Sequence, residues 1–106
     1  MLTLTNDALG APDAIRNLGQ RFREYRMRMR LTRKEVSEAA AVGMTTLYKF
    51  ESGHMTDISF GTLHRLMRTI GLGGNWDLLI PDLPESPYMY DRHNRKMQRV
   101  RKSKNN

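Results

Sequence analysis

The chain has 106 residues, which is enough for one domain with a modest core and too few for two. It has no cysteine, which excludes a disulfide framework and a thiolate metal site. No apolar run approaches the roughly 18 residues that a membrane span needs. The start, MLTLTNDALG, lacks the basic and apolar regions of a secretory signal, so we expect a cytoplasmic protein.

The net charge of +7 arises from two basic clusters. Residues 16–34 contain eight arginines and lysines and one glutamate, and residues 92–106 contain seven and no acid. The rest of the chain is net negative. Two such clusters indicate a polyanionic partner, nucleic acid in the first place. The alternative is a solvated charged face followed by a soluble tail.

The first predicted helix begins at Pro12, because a missing N–H costs nothing in a first helical turn. Apolar residues then recur at three- and four-residue steps over about 17 residues. They are Ile15, Leu18, Phe22, Tyr25 and Met29. This spacing predicts an amphipathic helix with that stripe buried.

A capping box, Thr32-Arg33-Lys34-Glu35, predicts the start of a second helix. Its residues available for burial are Val36, Ala39 and Ala40, and it ends around residues 41–43. The third helix begins near Gly43, a tolerable N-cap, and ends at Gly53, a natural left-handed residue.

Ser59 is predicted to cap a fourth helix that ends at Gly71 and buries Leu63, Leu66, Met67 and Ile70. Asn75 is predicted to cap a short fifth helix, which Pro81 ends. No segment alternates convincingly enough for a strand. We therefore predict an all-α domain of five short helices over residues 12–81. An extension (residues 1–11) precedes it, and a basic, mobile tail (residues 82–106) follows.

The second helix, a short turn and the third helix have the spacing of a helix-turn-helix. The run LTRKEVSEAAAVGMTTLYKFESG resembles this motif in the XRE family, the phage repressor and Cro-like DNA-binding domains. The matching residues are Leu31, Thr32, Val36, Val42, Thr46, Leu47, Phe50, Glu51 and Gly53. The later run ISFGTLHRLMRTIGL is similar to that family's fourth helix. The resemblance implies a lambda repressor-like fold and double-stranded DNA as partner. No cofactor is expected, and no residue pattern indicates an enzymatic activity.

Three residues depart from the family pattern. Arg33 replaces the usual glutamine, Ser37 the usual alanine, and Ala41 the usual glycine of the turn. If Ala41 is left-handed, its strain is about 1 kcal/mol or somewhat more. The alternative is that Gly43 shifts the turn.

A helix that reads the major groove needs an apolar inner face and polar or flexible groups outside. Leu47 and Phe50 supply the inner face. By resemblance, the base-contacting residues are Met44, Thr45, Tyr48 and Lys49. Phosphate contacts are expected mainly at helix N-termini, from Thr32, Arg33, Lys34, Thr46, His54 and Thr56. The alternative is that these are only exposed residues.

The resemblance also implies a partly buried ion pair between Arg26 and Glu51. The apolar residues after the fourth helix either close the core or form a two-fold interface. They are Trp76, Leu78, Leu79 and Ile80. We favour a homodimer on an inverted-repeat operator, because one reading helix covers only about four base pairs. The histidines at 54, 64 and 93 show no metal-ligand spacing, so no metal is expected.

The ending LLIPDLPESPYMYDRHNRKMQRVRK resembles that of small XRE proteins encoded beside HipA-type kinase toxins, which bear the name HipB. This resemblance implies an autorepressing antitoxin, bound to the bacterial nucleoid, whose protein partner is a HipA-type toxin. A prophage repressor or a restriction-modification controller without a toxin is the alternative. Further alternatives are a protein-binding adaptor without DNA binding, and RNA binding by the tail.

Overall fold

The computed structural model describes residues 9–84, and all their regular structure is helical. It comprises four α-helices and a final turn of 3-10 helix. The α-helices are α1 (Ala11–Arg28), α2 (Arg33–Ala40), α3 (Met44–Ser52) and α4 (Phe60–Thr69), and the 3-10 helix is Asn75–Leu78. The prediction of an all-α fold is confirmed over this range. Most of the predicted extension, residues 1–8, and of the predicted tail, residues 85–106, lies outside the described residues.

The described residues fall into two compact units, one ending at Trp76 and one beginning at Asp77. The four α-helices and the core between them belong to the first unit. Between residues 9 and 84, none of the helices has the length and apolar character that crossing a membrane requires.

Side-chain caps start two of the helices where the sequence predicts them. Thr32 Oγ1 accepts a hydrogen bond from the Glu35 N–H at 3.0 Å, and Glu35 Oε1 accepts one from the Thr32 N–H at 2.8 Å. This is the predicted capping box. At the start of α4, Ser59 Oγ accepts from the Thr62 N–H at 3.1 Å.

All four α-helices are followed by a residue in the left-handed conformation: Arg30, Ala41, Gly53 and Gly71. After each of these, the next N–H bonds back to a carbonyl of the last helical turn, as Val42 does to Ser37 at 3.0 Å. Ala41 has φ 55°, whereas Gly43 has φ −61° and is extended. The alternative in which Gly43 shifts the turn is therefore wrong. The left-handed Arg30 was not predicted.

The buried face of α1 differs from the predicted apolar stripe. Ile15, Gly19, Phe22 and Arg26 are buried. Leu18, Tyr25 and Met29 are 37%, 48% and 48% exposed, so the prediction is wrong for these three. The face is rotated because Gly19 lets the backbone of α3 approach, and Arg26 is buried through its charge partner.

The core lies where α3 meets α1 and where α2 packs on α3 and α4. The rings of Phe22 and Phe50 join α1 to α3, with centroids 5.7 Å apart. The other core residues are Ile15, Val36, Ala40, Val42, Leu47, Leu66 and Ile70. Ala39 is exposed instead of buried, because α2 turns only Val36 and Ala40 inward.

The predicted fifth helix is one turn of 3-10 helix, Asn75–Leu78, instead of an α-helix. The Asn75 N–H donates to the Leu72 carbonyl at 3.0 Å, which is an i→i−3 bond. Only six residues separate Gly74 from Pro81, so few i→i−4 bonds can form. The count of five α-helices is therefore not confirmed.

Candidate functional site

Helix α3 has a buried side and an exposed side. Leu47, Phe50 and Glu51 are buried at 0%, 1% and 2% exposure. Met44 and Tyr48 are 49% and 53% exposed, and Thr45 and Lys49 are exposed with them. Because these four residues fall at i, i+1, i+4 and i+5, they share one side of the helix. The four predicted base-contacting residues thus form a single outward surface.

A shallow groove, here called the α2 groove, lies beside the N-terminal turn of α2. It contains three predicted phosphate-contacting residues, Thr32, Arg33 and Lys34, together with Met44 of α3. Its other lining residues are Arg23, Arg26, Met27, Arg30 and Leu31. Five of the described residues along this groove are basic and none is acidic. Arg26 is paired with the buried Glu51, so the positive charge that a phosphate backbone requires comes from Arg23, Arg30 and Lys34 and in part from Arg33.

The remaining predicted phosphate-contacting residues lie outside the α2 groove. Thr46 is half-buried in the first turn of α3, and His54 and Thr56 are exposed in the loop after it. His54 Nδ1 lies 2.8 Å from Ser52 Oγ, so this ring is positioned by a neighbour in its own loop.

A second groove, here called the Tyr48 groove, opens between α1 and α3. It is lined by Gln20, Arg23, Glu24, Arg33, Tyr48, Glu51 and Ser52. Arg23 and Arg33 line both grooves. These two arginines therefore border the outward surface of α3 and the N-terminal turn of α2 at once.

The structure brings Arg26 and Glu51 together in a buried, two-point ion pair. Arg26 Nε donates to Glu51 Oε2 at 2.6 Å, and Arg26 Nη2 donates to Oε1 at 2.9 Å. Arg26 Nη1 also donates to the Leu31 carbonyl at 2.8 Å, which ties the pair to the turn between α1 and α2. A buried carboxylate needs such partners, because burial of an unpaired charge is costly.

Arg33 also contacts this carboxylate, a contact that was not predicted from the sequence. Arg33 Nε donates to Glu51 Oε1 at 3.0 Å. The Arg33 guanidinium carbon lies 5.3 Å from the centroid of the Tyr48 ring, within the range of a cation–π interaction. The available signal was that Arg33 departs from the glutamine that the resemblance implies at this position. Nothing local in the sequence placed Glu51 beside it.

Two further side chains fix the turn between α2 and α3. Ser37 Oγ donates to the Val42 carbonyl, and Arg65 Nε of α4 donates to the Ala40 carbonyl at 3.0 Å. The Ala40 carbonyl belongs to the last turn of α2, where a helix end otherwise leaves it unpaired, and the Val42 carbonyl directly follows the left-handed Ala41. Neither role was predicted: the Arg65 contact depends on the tertiary arrangement, and the Ser37 contact depends on the conformation of the turn itself.

Glu35 is the titratable group whose environment is perturbed at the start of α2. Hydrogen bonds from the backbone N–H and then the side chain of Thr32 lower the pKa of the Glu35 carboxyl below its ordinary value of 4.5. The capping box therefore keeps Glu35 ionised at the helix N-terminus, where the helix dipole favours a negative charge.

Helix α2, the turn at Ala41 and helix α3 together form a helix-turn-helix. This motif and its exposed surface define the class of protein. The helix-turn-helix domain family matches residues 17–76, and the chain belongs to that family. The prediction of a DNA-binding helix-turn-helix domain is therefore confirmed. No curated protein and no solved structure gives a significant match to the chain.

Proposed function

We propose that the chain is a sequence-specific transcriptional regulator of the XRE type, which binds an inverted-repeat operator as a homodimer. The observation that supports this most directly is the division of α3 into two sides. Leu47, Phe50 and Glu51 anchor the helix, while the opposite side is exposed next to the basic α2 groove. A reading helix needs both properties, rigid docking and an accessible outer face.

In this proposal the exposed side of α3 enters the major groove. Lys49 donates to guanine O6 and N7, the acceptors that distinguish this base. Met44 and the methyl group of Thr45 pack against thymine methyl groups. Tyr48 contacts a base edge or a phosphate. All four side chains have the exposure that such contacts require.

Phosphate contacts come from the α2 groove and from the start of α3. Thr32, Arg33 and Lys34 open α2, where free N–H groups and the helix dipole favour an anion. Thr46, His54 and Thr56 supply further contacts along the backbone. The charge of Glu51 does not oppose them, because its carboxylate is buried between two guanidinium groups.

The proposed dimer interface consists of Trp76, Leu78, Leu79 and Ile80. Trp76, at the end of the first unit, is 50% exposed, and the other three residues, in the second unit, are 71%, 60% and 89% exposed. Exposed apolar residues of this size are typical of surfaces that a partner covers. A dimer doubles the number of base pairs contacted and matches the symmetry of an inverted repeat.

The proposed cellular role is that of an autorepressing HipB-like antitoxin with a HipA-type kinase toxin as partner. Its support is the resemblance of the run that starts at Leu78, most of which lies outside the described residues. Co-purification of the chain with the product of the adjacent gene tests this role. A chain that binds its own promoter but captures no kinase would instead be a prophage repressor or a restriction-modification controller.

DNA binding itself is tested with the promoter of the chain's own gene and a scrambled duplex of equal length. We expect tighter binding to the promoter. For both duplexes, log affinity should fall by about 0.9 per log unit of salt for each phosphate contacted. A flat salt response, or equal affinity for the two duplexes, would contradict the proposal. Sedimentation of the same sample tests the homodimer separately.

A further inference from the structure

The Glu51 carboxylate connects the buried ion pair to the outward surface of α3. Its oxygen Oε1 accepts hydrogen bonds from Arg26 Nη2 at 2.9 Å and from Arg33 Nε at 3.0 Å. The Glu51 side chain is fully buried, whereas the Arg33 side chain is 34% exposed. Arg33 therefore extends from the buried Glu51 carboxylate to the boundary between protein and solvent.

At that boundary the Arg33 guanidinium lies over the ring of Tyr48, 5.3 Å from its centroid. Tyr48 is 53% exposed and belongs to the side of α3 assigned above to the bases. An exposed tyrosine on a helix otherwise exchanges between staggered rotamers. The cation on one face of the ring favours one of these rotamers, and the bond to Glu51 holds the cation in place.

We infer that Arg33 is a positioning residue, which transmits the fixed geometry of the Arg26–Glu51 pair to the Tyr48 ring. This inference rests on the proposed DNA binding and specifies how one reading position is built. In the free protein, Arg33 holds Tyr48 in a single orientation. On DNA, that orientation sets the preference at the base step facing Tyr48.

The phosphate contact proposed above for Arg33 is a separate role, and on its own it makes a different prediction. Arg33 Nε is occupied by Glu51, so a phosphate would be bound by the Nη groups, which make no hydrogen bond to any other residue in 9–84. Loss of such a contact weakens binding to all sequences alike and reduces the salt slope by about 1. Loss of a positioning contact lowers base discrimination and leaves the salt slope unchanged.

The variant that separates these roles is Arg33→Lys, which keeps the positive charge but loses the planar fork and the Nε donor. Arg23→Lys is the matched control, because Arg23 lines the same two grooves but has no hydrogen bond to Glu51 or Tyr48 within the described residues. Tyr48→Leu removes the ring and serves as the second half of a double-mutant cycle.

The first measurement needs no DNA. In NMR spectra of the free full-length protein, the Arg33 Nε–H resonance should be resolved and slow to exchange, and its shift should change in Tyr48→Leu. The chemical shifts of the Tyr48 ring should change in Arg33→Lys and remain unchanged in Arg23→Lys. An Arg33 Nε–H in fast exchange, with a shift unaffected by Tyr48→Leu, would overturn the inference.

The second measurement selects bound duplexes from a library randomised over about two helical turns. We expect Arg33→Lys to lower discrimination at the Tyr48 step by about two- to fivefold, the range that an exposed cation–π contact implies. In the Tyr48→Leu background, Arg33→Lys should cause no further loss of base discrimination. Undiminished discrimination, or a uniform loss with a smaller salt slope, would show that Arg33 does not position Tyr48.

The two measurements distinguish failure of the inference from failure of the proposed function. If the wild-type chain selects no DNA sequence at all, the proposed function is wrong. The inference that Tyr48 is positioned for reading DNA then falls with it, whatever the NMR spectra show about Arg33. If the wild-type chain selects a sequence, the NMR spectra and the duplex selection with Arg33→Lys decide the inference.

Discussion

Gly19 of α1 lies directly against the main chain of Phe50 in α3. A Cβ atom at residue 19 would lie 1.9 Å from the Phe50 carbonyl oxygen and 2.9 Å from its carbonyl carbon. Both atoms belong to the backbone of the helix that carries the candidate reading surface. The contact therefore sets how closely α3 seats on α1, and it places Phe50 within reach of Phe22.

Gly19→Ala should destabilise the fold strongly, because the backbone of α3 must move to admit one methyl group. We expect the free energy of unfolding, measured with urea, to fall by about 3 kcal/mol or more. Gly61→Ala is the matched control, since a Cβ at that exposed helical position meets only the end of Arg65, at 3.6 Å. It should raise the free energy of unfolding by up to about 1 kcal/mol. Equal effects at the two glycines would contradict the close approach of α1 and α3.

Ala41→Gly should stabilise the protein, because Ala41 has φ 55° in the turn between α2 and α3. The left-handed conformation costs a residue with a Cβ about 1–2 kcal/mol, and glycine loses about 0.5–1 kcal/mol through its greater freedom in the unfolded chain. We expect a net gain of about 0.5–1 kcal/mol in urea unfolding. Ala39→Gly makes the same chemical change within α2 and should instead cost about 1 kcal/mol. A loss of stability in both variants would exclude strain at Ala41.

Glu51→Gln should be among the most destabilising conservative changes in the domain. It keeps the shape of the side chain but leaves the Arg26 guanidinium, 7% exposed, without its counter-charge. Breaking a buried pair in this way costs about 3–5 kcal/mol. Asp13→Asn removes the exposed pair with Arg16 and should cost about 1 kcal/mol at most. If thermal or urea unfolding shows equal losses, the charge of Glu51 is not what stabilises the pair.

The capping box should stabilise the domain at neutral pH, and this stabilisation should be lost at acidic pH. The pKa of Glu35 is lowered from 4.5 by its hydrogen bonds to Thr32. Since the folded state has the lower pKa, this stabilisation is fully present well above pH 4.5 and is lost as the pH falls through the folded pKa. The difference in unfolding free energy between wild type and Glu35→Gln should therefore shrink on acidification.

Thr32→Ala is the control for that pH dependence. It should cost about 1 kcal/mol at neutral pH through loss of the N-cap. Because it removes the side-chain hydrogen bond but keeps the backbone N–H of residue 32, which is the larger cause of the lowered pKa, substituting Glu35 in this background should give a smaller pH-dependent difference than in the wild type. A wild-type advantage over Glu35→Gln that grows as the pH falls would show that the shift has the opposite sign.

The features that the sequence predicted correctly are those with local causes. The capping box at Thr32 and the ends of α3 and α4 at Gly53 and Gly71 depend only on neighbouring residues. The buried face of α1 was predicted incorrectly because periodicity counts apolar side chains. Gly19 is buried because it has no side chain and so lets α3 approach. Arg26 is buried because it pairs with Glu51, which lies on another helix. Such long-range causes leave no local pattern.

The same contrast between local and long-range causes applies to the candidate site. The exposed side of α3 followed from helical spacing, so Met44, Thr45, Tyr48 and Lys49 could be grouped from the sequence. Arg33 was assigned to phosphate because it begins a helix, and its bond to Glu51 became visible only once α2 and α3 were placed. The turn contact of Arg65 from α4 escaped prediction for the same reason.

Lys49→Ala should relax sequence preference without abolishing DNA binding. Lys49 is exposed on the proposed reading side, where a contact to guanine contributes about 1–3 kcal/mol of discrimination at one base pair in each half-site. Lys34→Ala, at the start of α2, is the control and should weaken all sequences alike while reducing the salt slope by about 1. Selection from randomised duplexes at several salt concentrations measures both effects. A uniform loss in Lys49→Ala would place Lys49 on a phosphate, because a residue that contacts only the backbone does not distinguish one base pair from another.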